Sequence, residues 1–135
     1  MDKTIISRFE NIQNIVNILD RNPGIFVLKI GASWCRPCKQ IKPVVDAFFA
    51  SSPANVICAA IDIVDKGNEE VYNILKKRLR LQAIPCMLMY KKGNQELTPD
   101  EMITGSEPSQ LHIFFKKCGT QLHKISIEET KSINA

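Results

Sequence analysis

Ile25-Phe26-Val27-Leu28-Lys29-Ile30-Gly31-Ala32-Ser33-Trp34-Cys35-Arg36-Pro37-Cys38 is the stretch on which the fold turns. Its first six residues are β-branched, aliphatic or aromatic apart from Lys29, which is the composition of a buried strand. Gly31, Ala32 and Ser33 then make a short turn. Beyond the second cysteine, Ile41, Val44, Val45, Phe48 and Phe49 recur at the three-and-four spacing of one helix face. Two thiols three positions apart therefore sit on a strand-to-helix corner.

At such a corner the unpaired N–H groups and the dipole of the helix favour an anion on its first exposed residue, here the sulfur of Cys35. Thiolate is the reactive form, and a Cys-X-X-Cys pair at a helix start brings the leading thiol from about 8.5 down to about 7 or lower. Arg36, Lys39 and Lys42 add positive charge in the same two turns. Cys35 is the expected nucleophile, and Cys38, one turn deeper, the resolving thiol. Zinc is the rival reading, because Cys-X-X-Cys is half of many tetrahedral sites. The other half is not evident: Cys58, Cys86 and Cys118 are isolated in sequence, and His112 and His123 form no compact pair. The redox reading therefore ranks above a metal, and no metal ligand is assigned.

The chain has 135 residues, 44% of them hydrophobic, which is one domain with enough apolar material for a core. Its formal charge of +4 is spread as single and paired cations with acids between them, so no nucleic-acid role is expected. The segment from Met1 to Arg8 lacks the apolar stretch of a signal peptide, and no run approaches the roughly 18 residues of a membrane helix. A soluble, cytoplasmic protein without membrane partners is expected. In a reducing compartment five cysteines, an odd number, do not make a structural disulfide framework.

The remaining segments alternate. Ile12, Ile15, Val16 and Leu19 form a helical face across 10–20, stopped by Asn22-Pro23-Gly24. Asn55 to Ile63 is a second apolar run, Val71, Ile74, Leu75 and Leu79 mark a helix, and Met87 to Tyr90 a strand. Lys91 to Gln95 reads as a hairpin turn, with Leu97 to Thr104 returning and Pro99 breaking it. Leu111, Phe114 and Phe115 give the last helix its buried face. With a short strand at Thr4 to Arg8, this predicts one mixed sheet covered by helices on both faces, an α/β domain. The expected domain is 1–118, followed by a C-terminal extension, 119–135, whose apolar residues settle on no single period and which is assigned no function.

Taken together, Trp34-Cys35-X-Pro37-Cys38-Lys39, Pro43 five residues after the second cysteine, Ile84-Pro85 before a strand, Lys92-Gly93 at the hairpin and Gly105 before the last helix resemble the thioredoxin family. The landmarks fall in order over roughly residues 4–118. The resemblance implies the thioredoxin fold, a central mixed β-sheet flanked by helices, and a cis Ile84–Pro85 bond facing the cysteine pair. It implies that Ile84 and Pro85 bind an extended client peptide, with Trp34 as an apolar contact surface, and that Pro37 stiffens the spacer. The Cys35 thiolate would attack a client disulfide, and Cys38 would then attack Cys35 and release the reduced client. The implied partners are proteins with disulfides and a separate reductase or oxidant, the implied state is a monomer or weak dimer, and no cofactor beyond the Cys35–Cys38 disulfide is needed.

Departures from the family pattern lie at Arg36, where glycine is commonest, and Lys29, where a buried aspartate is usual. Arg36 either stabilises the anionic Cys35 or points into solvent. Lys29 either acts on the cysteines, as a cation or as a neutral base, or reaches solvent or an acid such as Asp62. Together they suggest a couple more oxidising than the roughly −270 mV of thioredoxin. Cys86, after the proline, and Cys58 read as small buried hydrophobes. Cys118 is expected to be partly exposed. Two function classes follow: a thiol–disulfide oxidoreductase, or a non-catalytic thioredoxin-fold binding or scaffold module of a larger assembly.

Overall fold

The computed structural model describes residues 3–134; Met1, Asp2 and Ala135, the outer ends of the expected domain and extension, lie outside the described residues. Among the described residues there are five strands and four α-helices, in the order β1 (Ile5–Ile6), α1 (Ile12–Arg21), β2 (Ile25–Gly31), α2 (Arg36–Ser51), β3 (Val56–Asp62), α3 (Glu69–Leu79), β4 (Cys86–Lys91), β5 (Glu101–Thr104) and α4 (Pro108–Asn134). A 3₁₀ turn at Lys66–Asn68 leads into α3. The strands form one sheet ordered β1-β3-β2-β4-β5. β1 and β2 run parallel to β3, whereas β4 runs antiparallel to β2 and β5 to β4.

Strand alternation sorts the core into two layers. Phe26, Leu28 and Ile30 of β2 pack with Ala59, Ile61, Leu88 and Tyr90 against Ile15, Ile18 and Leu19 of α1 and Val71 and Leu75 of α3. Ile25 and Val27 point the other way, joining Cys58, Met87 and Met89 beneath Ile41, Val45 and Phe49 of α2 and Leu111, Phe114 and Cys118 of α4. Each such side chain, fully removed from water, contributes roughly 1.5–3 kcal/mol of transfer free energy. By the same alternation Lys29 falls on the α2 side, beside Ala60 of β3 and Met87 of β4.

Two buried asparagines tie loops to this frame. Asn68 accepts from the Phe9 N–H at 2.8 Å and donates to the Ser7 and Asp62 carbonyls at 3.1 and 3.3 Å. Asn22 donates to the Tyr90 carbonyl at 3.0 Å and accepts from the Gly24 N–H at 3.1 Å.

Three details differ from the sequence reading. The returning strand is only Glu101–Thr104, because Pro99 has no N–H to donate and Asp100 turns its carboxylate to the Lys91 N–H at 2.7 Å. Val44 lies on the expected helix face but is 52% exposed, lining an open groove between α2 and the start of α4 with Ile41, Leu111 and Phe115. The expected boundary at residue 118 falls inside α4, which continues with Leu122 packed on the α2-side core and Ile125 buried. Leu111, Phe114, Cys118, Leu122 and Ile125 follow one another at steps of three and four, so a single helix face runs through both segments.

Candidate functional site

Cys35 occupies the N-cap of α2, with extended backbone angles (φ −83°, ψ 114°), and Arg36 and Pro37 form the first helical turn. Proline suits this position, since its missing N–H would be unpaired there anyway. The Cys38 N–H donates to the Cys35 sulfur at 3.3 Å, so the leading sulfur takes the place of a capping oxygen. The Lys39 N–H reaches the Cys35 carbonyl at 3.2 Å, and the Cys35 N–H reaches the Ala32 carbonyl at 3.1 Å, fixing the corner on both sides. Cys35 and Cys38 are joined in a disulfide with Cα atoms 5.3 Å apart.

The Ile84–Pro85 bond is cis. The Ile84 carbonyl oxygen stands 3.9 Å from the Cys35 sulfur, and Ile84 packs with Ile63 against Ala32, Cys35 and Cys38. The loop before it is pinned by the Cys86 thiol, which donates to the Ala83 carbonyl at 2.9 Å, and the Pro85 carbonyl accepts from the Gly105 N–H at 2.8 Å. Cys86 is fully buried, and burial raises its thiol above the ordinary value.

Cys35 was expected to present an exposed sulfur, but the residue is only 4% exposed. Ile63 and Ile84 cover it, a consequence of β3 and the proline loop converging on the corner, which local sequence does not encode. Trp34 next to it is 67% exposed, an apolar ring held in solvent beside the pair. Arg36 and Pro37 are exposed on the outer side of the corner.

Behind the disulfide lies a cavity of about 370 Å³ lined by Lys29, Cys38, Lys42, Asp46 and Asp62, among others. Lys29 is half-buried in it. Burial pushes its ammonium below the ordinary lysine value, against the opposing pull of Asp46. No ion pair joins Lys29 to Asp62: among the described residues the paired acid here is Asp46, held by Lys42 at 2.6 Å. Asp62 instead accepts from the Val64 N–H at 2.9 Å. Lys42 and Asp46 escaped the reading as cavity residues, although their four- and eight-residue separation from Cys38 sets all three on one side of α2.

Cys118 is also corrected: it is fully buried between α4 and the sheet, and burial with the nearby Glu101 pushes its thiol up to about 12. Cys58 is buried, its sulfur 3.5 Å from the Ser52 hydroxyl. Among the described residues no three His, Cys, Asp or Glu side chains converge as a metal-binding group.

The thioredoxin family model matches residues 7–117. The chain is 26% identical to a thioredoxin of Coprinus comatus over 113 residues, 84% of this chain and 94% of that one. It is 29% identical to the mitochondrial thioredoxin of Bos taurus over 110 residues, 79% of this chain and 61% of that longer one. The solved oxidised structure of mitochondrial thioredoxin 3 from Saccharomyces cerevisiae superposes with a TM-score of 0.63 at 23% identity, covering 83% of this chain and 94% of that one. With the Cys-X-X-Cys disulfide at the head of α2 and a family match over most of its length, this chain belongs to the thioredoxin family of thiol–disulfide oxidoreductases.

Proposed function

We propose that the protein cycles Cys35 and Cys38 between dithiol and disulfide to exchange disulfides with client polypeptides. The observation that carries this reading is the Cys35 sulfur, capped by the Cys38 N–H at 3.3 Å and facing the Ile84 carbonyl at 3.9 Å. The helix N-terminus stabilises a thiolate at that position once the disulfide is reduced. The main chain of Ile84 supplies an edge on which an extended peptide can lie, with Pro85 beneath it and the Trp34 ring as an apolar wall. A client disulfide aligned there meets Cys35 first. The mixed disulfide is then resolved by Cys38, which expels the client thiolate.

Arg36, with Lys29 in the cavity, favours the reduced, anionic form and makes the couple more oxidising than that of an ordinary thioredoxin. Pro37 holds the spacer in helical geometry. The partners of this reading are proteins bearing disulfides and a separate reductase or oxidant, with the chain acting as a monomer or weak dimer and needing no other cofactor, metal, nucleic acid or membrane. No helix among the described residues is long and apolar enough to cross a membrane. A reducing compartment such as the cytoplasm suits a protein with three further free thiols, Cys58, Cys86 and Cys118.

The test is dithiothreitol-driven reduction of a generic protein disulfide by the parent and by Cys35→Ser. Turnover that disappears with Cys35 supports the oxidoreductase. A parent without turnover above the dithiothreitol background supports the scaffold module instead.

A further inference from the structure

Resolution of the mixed disulfide requires Cys38 to lose a proton while it is 4% exposed, out of easy reach of bulk water. The cavity behind it is lined by Cys38 itself and by few ionisable side chains. From α2 come Lys39, Lys42 and Asp46, and from β3 comes Asp62. At the register of Lys29 the two flanking strands offer only Ala60 and Met87. Both acids are engaged: Asp46 by Lys42 at 2.6 Å, Asp62 by the Val64 N–H at 2.9 Å. Lys29 reaches the cavity from β2, half-buried and without an ion pair among the described residues.

Gly31 brings the two groups together. A methyl carbon placed on Gly31 would sit 3.2 Å from the Cys38 sulfur and 3.8 Å from Cε of Lys29. The thiol and the end of the lysine stem therefore flank the same bare backbone position.

We propose that Lys29 is the group that takes the proton from Cys38 when the mixed disulfide on Cys35 is resolved. This rests on the reading of Cys35 as the attacking and Cys38 as the resolving sulfur. The neutral amine accepts the Cys38 proton directly or through one water and becomes an ammonium ion. The Cys38 thiolate attacks the Cys35 sulfur, forming the Cys35–Cys38 bond and breaking the Cys35–client bond. The client leaves as thiolate and takes up a proton from solvent, and Lys29 returns its own proton to solvent, so protons and electrons balance. Burial lowers Lys29 from 10.5 towards the working pH, which enlarges the neutral fraction available to accept a proton. The same ammonium, formed beside a nascent thiolate, stabilises that anion while the step proceeds.

The experiment uses the full chain, reduced, and an aromatic disulfide whose thiolate product is coloured. Attack by Cys35 releases one equivalent, and resolution by Cys38 releases the second. In the parent the second rate should rise with pH along a limb centred below the ordinary lysine value of 10.5. Lys29→Met should slow the second release roughly a hundredfold near neutral pH, far more than the first, and remove that limb. Lys29→Glu should recover much of the second rate by supplying another base. Lys29→Arg keeps the charge but accepts no proton, so it should behave like Lys29→Met.

A second release at the parental rate in Lys29→Arg shows that charge alone suffices and overturns the proposal, as does an unchanged pH limb in Lys29→Met. The Arg and Glu variants carry the comparison by themselves if Lys29→Met does not fold. A parent that gives no first release overturns the Cys35 reading along with this one, so the two failures are separable.

Discussion

The sulfur of Cys35 lies 3.9 Å from the carbonyl oxygen of Ile84, across 49 residues of sequence. That contact joins the head of α2 to the loop before β4, and it makes one site from a thiol and a peptide edge that the chain order keeps far apart.

The first expectation concerns the division of labour between the thiols. Cys35→Ser should abolish reduction of a protein disulfide. Cys38→Ser should leave attack intact and accumulate client-linked mixed disulfides, visible by non-reducing electrophoresis. Equal trapping by both variants would reverse or dissolve the assignment.

Redox tuning gives the second. Removing a cation that favours the thiolate destabilises the reduced form, so Arg36→Gly and Lys29→Asp should each lower the midpoint potential. The parent should lie above about −270 mV in a glutathione titration. A parent at or below that reference, or variants shifted upward, would contradict the tuning.

The tie made by Asn68 predicts a stability effect without a change in the cysteine chemistry. Asn68→Ala leaves the Phe9 N–H and the Ser7 and Asp62 carbonyls without their partner, a loss of roughly 1–3 kcal/mol. Urea denaturation measures it, and a change under about half a kcal/mol would show that water replaces the side chain fully.

Beyond residue 118 α4 continues, with Leu122 packed on the α2-side core and Ile125 buried. Ile125→Ala should cost about 2–4 kcal/mol, the usual range for truncating a buried isoleucine, whereas exposed Ile133→Ala should change stability little. Equal, small effects in thermal melts would mean that the last turns of α4 contribute no packing.

Cys118 gives a pH dependence of definite sign. Its thiol is held up to about 12 in the folded chain, against 9.0 for the ordinary group. Between these values the unfolded chain has lost the proton and the folded one keeps it, so the contribution to stability is complete below pH 9 and is lost as the pH rises towards 12. Cys118→Ala should flatten this alkaline fall in stability. At neutral pH native Cys118 should react with iodoacetamide much more slowly than in the denatured chain.

Much of the site was readable because its signals are local. The strand before Gly31, the helix after Pro37 and the spacing of Cys35 and Cys38 lie within one continuous stretch, and the apolar period there leaves one consistent arrangement. What misled were burial and ends. Cys35 reads as exposed because helix N-termini usually are, yet Ile63 and Ile84 arrive from elsewhere to cover it. Val44 fits the helical period but borders an open groove beside α4, so periodicity alone assigns it to the core. Leu122 and Ile125 looked aperiodic when read apart from Leu111, Phe114 and Cys118, because a helix face shows itself only over several turns.

The amino-acid sequence by itself determined the layered α/β order, the redox pair and its place at a helix start, since hydrophobic period and thiol spacing are properties of neighbouring residues. Only the tertiary structure decided that the Ile84 carbonyl faces Cys35, that Lys29 shares a cavity with Cys38, and that Leu122 and Ile125 are drawn in against the domain. Those relations depend on which strands pair and which helix covers which face. They are set by burial summed over the whole domain, which no single stretch of the chain contains.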